Sequence, residues 1–145
     1  MSLNISEFKE TIEVNRNDMV NDIALINELV INDLMVSLGY NKRKNKNVKR
    51  MYDGNIDWIV IDNNIKLAVK VYSIDTNLSE VDIQSVCELC ASKLLSILIL
   101  TNGESLNIMR YRKESHIYTS VCEINITEEL SDSQTKILDA ISKET

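Results

Sequence analysis

The 145-residue chain contains no proline and only three glycines. That scarcity removes the usual makings of a flexible linker, a low-complexity tract or a glycine-built repeat. Three cysteines are an odd number, which argues against a closed disulfide framework and agrees with a reducing compartment. No apolar run approaches the length needed to span a bilayer, so no membrane association is expected. The opening Met1-Ser2-Leu3-Asn4-Ile5-Ser6-Glu7-Phe8-Lys9 lacks the basic-then-apolar layout of a signal peptide. The expected location is therefore the cytoplasm, or a particle assembled there. Also missing are a phosphate-binding glycine loop, a dinucleotide fingerprint and a nucleophile elbow.

The 44% of hydrophobic residues can build one core without metals or disulfides, and the length predicts a single domain over 1–145. The net charge of −6 is unevenly spread. Between Asn41 and Tyr52 stand Lys42, Arg43, Lys44, Lys46, Lys49 and Arg50 with no acid among them, leaving an acidic remainder. An acidic body with one basic loop is not the broad positive face of a duplex binder, yet such a loop can hold a few phosphates or an acidic partner.

From Asn17 to Leu38, Val20, Ile23, Ala24, Ile26, Leu29, Val30, Leu34 and Met35 recur at three- and four-residue steps. Asp18, Asn21, Glu28 and Asn32 share a polar stripe. The spacing predicts a long, mostly buried helix capped by Asn17 and ended by Gly39 in the left-handed region. A shorter helix is expected over Ser6–Val14. Pieces rich in Val, Ile, Trp and Tyr predict strands at Val48–Tyr52, Ile56–Ile61 and Lys66–Ser73, with a turn at Asp62-Asn63-Asn64. Ser79 reads as the cap of a helix reaching Lys93, and Leu94–Leu100 as a strand buried on both faces. A turn at Thr101-Asn102-Gly103-Glu104 leads to strands Ser105–Tyr111 and His116–Ile124, then to a closing helix Ser131–Lys143. This order implies an α/β (α+β) domain with a central mixed sheet flanked by helices.

The order carries familiar words. Asn21-Asp22 opens a helix that ends Leu38-Gly39-Tyr40, and Asn55-Ile56-Asp57-Trp58 begins a strand. A lysine-bearing strand Leu67–Ser73 follows, then Gln84 on a helix, then Leu98-Ile99-Leu100-Thr101-Asn102-Gly103-Glu104 before a hairpin. Together, over roughly Asn21 to Tyr111, they resemble the N-terminal nuclease-like domain of the type I restriction enzyme R subunit, a branch of the PD-(D/E)xK nuclease superfamily. The resemblance implies a restriction-endonuclease-like fold. It also implies a site in which a helix acid, an aspartate opening the second strand and a Glu-x-Lys pair on the third converge on magnesium. Hard Mg²⁺ needs carboxylate oxygens, and the lysine orients water and stabilises charge on phosphate.

Carried over, Asp22 stands for the helix acid and Asp57 for the strand aspartate. The pair departs from the pattern. In one register Lys70 replaces the glutamate and Tyr72 the lysine; in the other Lys70 is the lysine and Ala68 sits at the acid position. Either way a carboxylate is missing, and an ammonium beside the metal position would repel Mg²⁺ by roughly several kcal/mol. The expectation is a catalytically degenerate site, Asp57 and Lys70 with Asp22 and Tyr72 as neighbours, in which Lys70 pairs with Asp57 or Asp22 and no metal is held. A departure also falls on the helix after the lysine strand, where Glu88 stands in place of a frequent tyrosine.

The expected role is a binding or structural subunit of a larger phage-related or defence assembly, with a protein partner or a second copy of the chain. Two alternatives stay open. One is a divergent Mg-dependent DNA endonuclease with an acid relocated to Glu80, Asp82 or Glu88; the other is a DNA-binding regulator using the basic loop. Cys87-Glu88-Leu89-Cys90, with Cys122 and His116, could be read as a zinc set, but cysteines three apart on a helix share a face and more often pack inside. His116, the only histidine, is expected to be solvated, and Trp58 and Tyr72 to be core or cleft-wall aromatics.

Overall fold

Apolar residues alternate in the strand-like pieces and recur at helical steps elsewhere, a pattern that requires helices on both faces of one sheet. The computed structural model describes residues 3–41, 47–52, 54–62 and 64–142 and meets that requirement in three layers. Strands β1 (Val48–Arg50), β2 (Trp58–Asp62), β3 (Ile65–Val71), β4 (Ile97–Thr101), β5 (Ser105–Arg112) and β6 (Ile117–Asn125) lie across the sheet in chain order. Neighbours are antiparallel except β3 and β4, which run parallel with Val69 opposite Ile99. A parallel pair needs a crossover, and α4 (Gln84–Ser92) supplies it.

The alternation along β2 and β3 divides the core. Trp58, Val60, Leu67, Val69 and Val71 face α1 (Ile5–Met19), the helix that follows it, and α5 (Asp132–Ile141). Ile59 and Ala68 face Val86 and Cys90 of α4. Burying each large aliphatic side chain contributes about 1.5–3 kcal/mol, so the two-sided burial is the main force fixing register.

The second helix runs through α2 (Ile23–Ile26), a π-helical stretch (Asn27–Ile31) and α3 (Asn32–Ser37). Periodicity places its start at Asn17, but α1 continues to Met19 and the chain breaks at 20–22. Asp22 causes the restart, its carboxylate accepting the Leu25 N–H at 3.0 Å as an N-cap. At the other end Gly39 has φ 90°, and the Gly39 and Tyr40 N–H groups reach back to Val36 and Met35. That is a glycine-terminated helix of the expected kind.

Several expected boundaries move, among them the start of β2, which falls at Trp58 and not Ile56, and the end of β3, which falls at Val71 and not Ser73. The helix predicted from Ser79 is a 3₁₀ turn (Leu78–Glu80) and then α4, because the Asn77 and Asp82 side chains capture the N–H groups of Ser79 and Gln84 two residues on. Leu94 is not in a strand: it adopts φ 59° as the residue that closes α4, and β4 begins at Ile97. β1 ends at Arg50, leaving Tyr52 outside the sheet. Among the described residues no helix is long and apolar enough to cross a membrane.

Candidate functional site

Asp57 directly precedes β2, where the β2–β3 ladder ends. Its N–H donates to the Val69 carbonyl at 2.8 Å, and on the next rung its carboxylate takes the place of a backbone acceptor: Oδ2 receives the Val71 N–H at 2.8 Å. Oδ1 receives the Asn27 carboxamide at 3.1 Å. Asn27 in turn accepts the Trp58 indole N–H at 2.8 Å and donates to the Ile23 carbonyl at 3.2 Å. Asn27, Asp57 and Trp58 are all buried, so every polar atom in this chain of contacts must find a partner within the protein. The π-helical stretch begins at Asn27, whose carbonyl receives the Asn32 N–H five residues on. Such widened turns often accompany functional sites.

Arg50, opposite Trp58 in the β1–β2 register, supplies the cation. Its Nη1 lies 3.7 Å from Asp57 Oδ1, too long for a hydrogen bond but close enough for charge attraction, and donates to the Asp57 carbonyl at 3.0 Å and to the Met51 carbonyl. The guanidinium carbon sits 4.7 Å from the Tyr52 ring centroid and 5.8 Å from that of Trp58. Cation–π contacts of this kind hold a guanidinium in place.

Lys70 is not the counter-ion of Asp57 or Asp22, which corrects the expected pairing. Its ammonium donates to the Gly54 carbonyl and lies 5.6 Å from the Tyr72 ring centroid, as residues two apart on one strand face should. Arg50 reaches Asp57 from the neighbouring strand β1. The Tyr72 hydroxyl is buried without a hydrogen bond, and burial pushes its pKa up, with the charges of Cys87, Asp57 and Asp82 adding to the rise. Asp22 is exposed and occupied as the helix cap; five residues later, Asn27 makes the helix's contact with Asp57.

These residues do not fit a magnesium ion. Both oxygens of Asp57, the one buried acid among the described residues, already face N–H donors, and a guanidinium stands beside it. Among the described residues no three His, Cys, Asp or Glu side chains are grouped to hold a metal. Glu80, Asp82 and Glu88 are exposed, and Gln84 donates to Glu88 at 3.3 Å on the outside of α4.

Beside this network opens a cleft of about 640 Å³, walled by Asn27, Glu28, Asn32, Arg50, Tyr52 and Trp58. Asn41, which precedes the basic segment, also lines it. Lys42, Arg43, Lys44 and Lys46 lie outside the described residues. Lys49 is exposed and, adjacent to Arg50 on β1, projects to the opposite face of the sheet.

Cys90 and Cys87 pack in the α4-side core, whereas Cys122 packs with the other cluster, so the sheet separates them. Burial raises the Cys90 thiol to about 12, keeping it protonated and unreactive. His116 turns between β5 and β6 with φ 58°, exposed, its Nδ1 3.1 Å from the Tyr111 hydroxyl.

The residue that sequence reading overlooks is Asn27. Its signal is a lone carboxamide between Ile26 and Val30–Ile31 on the apolar side of a helix, where a polar group must have a buried partner. Comparisons with protein-family models, curated proteins and solved structures found no match to this chain.

Proposed function

We propose that the chain is a catalytically degenerate nuclease-fold domain, resembling the N-terminal domain of the type I restriction enzyme R subunit, that binds rather than cuts and serves as a subunit of a larger phage-related or defence assembly. The element order supports the fold half of this reading: a helix, three antiparallel strands, a helix and an apolar strand parallel to the third follow one another. Asp57 stands directly before the second strand and Lys70 lies on the third, near the places the resemblance gives to its strand aspartate and its departed Glu-x-Lys pair.

The observation that carries the non-hydrolytic half is the state of Asp57. A carboxylate that receives the Val71 and Asn27 N–H groups beside Arg50 is a fastening of the fold. A metal-ligating acid instead needs an open oxygen and a second acid opposite.

The test is supercoiled plasmid incubated at low salt with Mg²⁺ or Mn²⁺ and the purified chain. Intact plasmid is expected, together with a defined assembly by size-exclusion chromatography and light scattering. Metal-dependent nicking that Asp57→Ala abolishes would overturn the reading in favour of a divergent endonuclease.

A further inference from the structure

We infer that the chain associates with further copies of itself head to tail, the basic corner where α4 meets the start of β3 in one copy seating against an acidic crevice at the opposite end of the sheet in the next. The inference rests on the assembly half of the reading above and names the partner.

The corner is built around Leu94. A residue that ends a helix at φ 59° is ordinarily glycine, and a leucine there bears backbone strain that packing does not offset, since its side chain is 74% exposed. Strain kept at an exposed apolar side chain points to a contact outside the molecule. The Ser96 N–H and hydroxyl both reach the Lys66 carbonyl, at 3.0 and 3.3 Å, so the chain leaving α4 is pinned to the start of β3. Lys66 stands opposite Ile61 in the β2–β3 register, and Ile61 is 50% exposed. Two large aliphatic side chains therefore share this corner with Lys66, Lys93 and, on the same face of the sheet, Lys49. All three lysines are exposed, and none makes an ion pair among the described residues.

The opposite end of the sheet is acidic. A crevice of about 460 Å³ opens there between the 76–79 segment, the start of β5 and the end of β6, with Glu123 and Glu128 on its walls. Both glutamates are exposed, and neither carboxylate has a partner among the described residues; Gln134 reaches only the Glu123 backbone carbonyl. Asp75, Glu80 and Asp82, also exposed, stand on the segment that follows β3. Leu78, half-buried in the crevice wall, offers Leu94 an aliphatic surface. β4 begins just after the corner and ends just before Asn102 of the crevice, so the five residues of that strand hold the two surfaces about 16 Å apart and one copy cannot join its own. Charge decides the orientation. Two corners face to face would bring like charges together, whereas corner to crevice sets lysines against carboxylates. Such a contact is heterologous, so it propagates into a ring where the rotation closes and a filament where it does not.

The experiment follows the mass of the full chain by light scattering and sedimentation velocity from micromolar to millimolar concentration, at about 20 mM and about 500 mM salt, the second screening exposed charges. At low salt the average mass should pass that of a dimer, and at high salt it should fall back. Leu94→Gly, which relieves the backbone, and Lys93→Glu should each weaken association about tenfold or more, and the Glu123→Lys, Glu128→Lys double variant should do the same from the other side. Mixing Leu94→Gly with that double variant leaves one intact corner and one intact crevice, so the mixture should form a one-to-one pair and nothing longer. All these side chains are exposed, and thermal melts of each variant separate a lost contact from a lost fold. A chain that stays monomeric at millimolar concentration and low salt overturns the inference, as does association that stops at a closed dimer. A monomer that sediments with phosphatidylserine vesicles through Leu94 also overturns it and assigns the corner to an anionic bilayer. An assembly unmoved by these substitutions keeps the binding reading and sinks this contact; plasmid nicking sinks that reading and leaves the mass measurements to be scored by themselves.

Discussion

At the scale of single residues, Asp57 discriminates a fastening from a catalytic acid. Both of its oxygens receive N–H donors, so the Asp57→Asn side chain must turn an NH₂ toward either Val71 or Asn27 whichever way it flips. Asp57→Asn is therefore expected to lose about 1–3 kcal/mol of unfolding free energy in urea titration, nearly as much as Asp57→Ala. A metal-ligating acid kept for chemistry would show the opposite, a neutral or stabilising amide variant. Asn27→Ala should cost a similar amount, since it removes one hydrogen bond from the buried Trp58 indole and another from the buried Asp57 carboxylate. The two effects should fall well short of adding in the double variant, because the residues share a network.

At the scale of elements, the end of α4 carries strain. Leu94 stands in the left-handed region while the Leu94 and Leu95 N–H groups return to Ala91 and Cys90, a helix stop that ordinarily uses glycine. Its side chain is largely exposed, so little packing is lost by removing it. Leu94→Gly should gain about 1 kcal/mol, read as a rise of about 2–4 °C in Tm. A fall in Tm would mean that the side chain contributes more than its exposure suggests. Gly103 gives the converse case: it has φ 92°, and an added Cβ would meet the Ile26 side chain at 2.8 Å. That close approach fastens the β4–β5 turn to the helix bearing Asn27.

At the scale of the whole molecule, Tyr40 ties distant parts of the chain, its hydroxyl donating to the Ile141 carbonyl of α5 at 2.5 Å. Burial, with a smaller contribution from Asp62, raises this phenol to about 12. Between about pH 10 and about pH 12 the unfolded chain releases the proton while the folded chain keeps it, so stability falls as pH rises through that window. The loss attributable to Tyr40 should be on the order of 2 kcal/mol by alkaline urea titration. Tyr40→Phe should flatten that limb while costing about 1 kcal/mol at neutral pH for the lost hydrogen bond. An unchanged alkaline limb would show that the hydroxyl titrates normally. What the sequence by itself determined is the set of elements and the faces they bury, because period-two and helical spacing record which side of each piece avoids water. Gly39 and the Thr101-Asn102-Gly103-Glu104 turn were legible, whereas the strand expected from Ile56 begins at Trp58 and leaves Asp57 just before it. Tertiary structure alone decided that Asp57 is fastened by Asn27 and Arg50 while Lys70 turns to Gly54. It also decided that the helix restarts at Asp22 and that Glu28, Asn32 and Tyr52 come to share a cleft. Spacing describes a side chain's own element; a hydrogen-bond partner thirty residues away, such as Asn27 for Asp57, depends on how those elements pack.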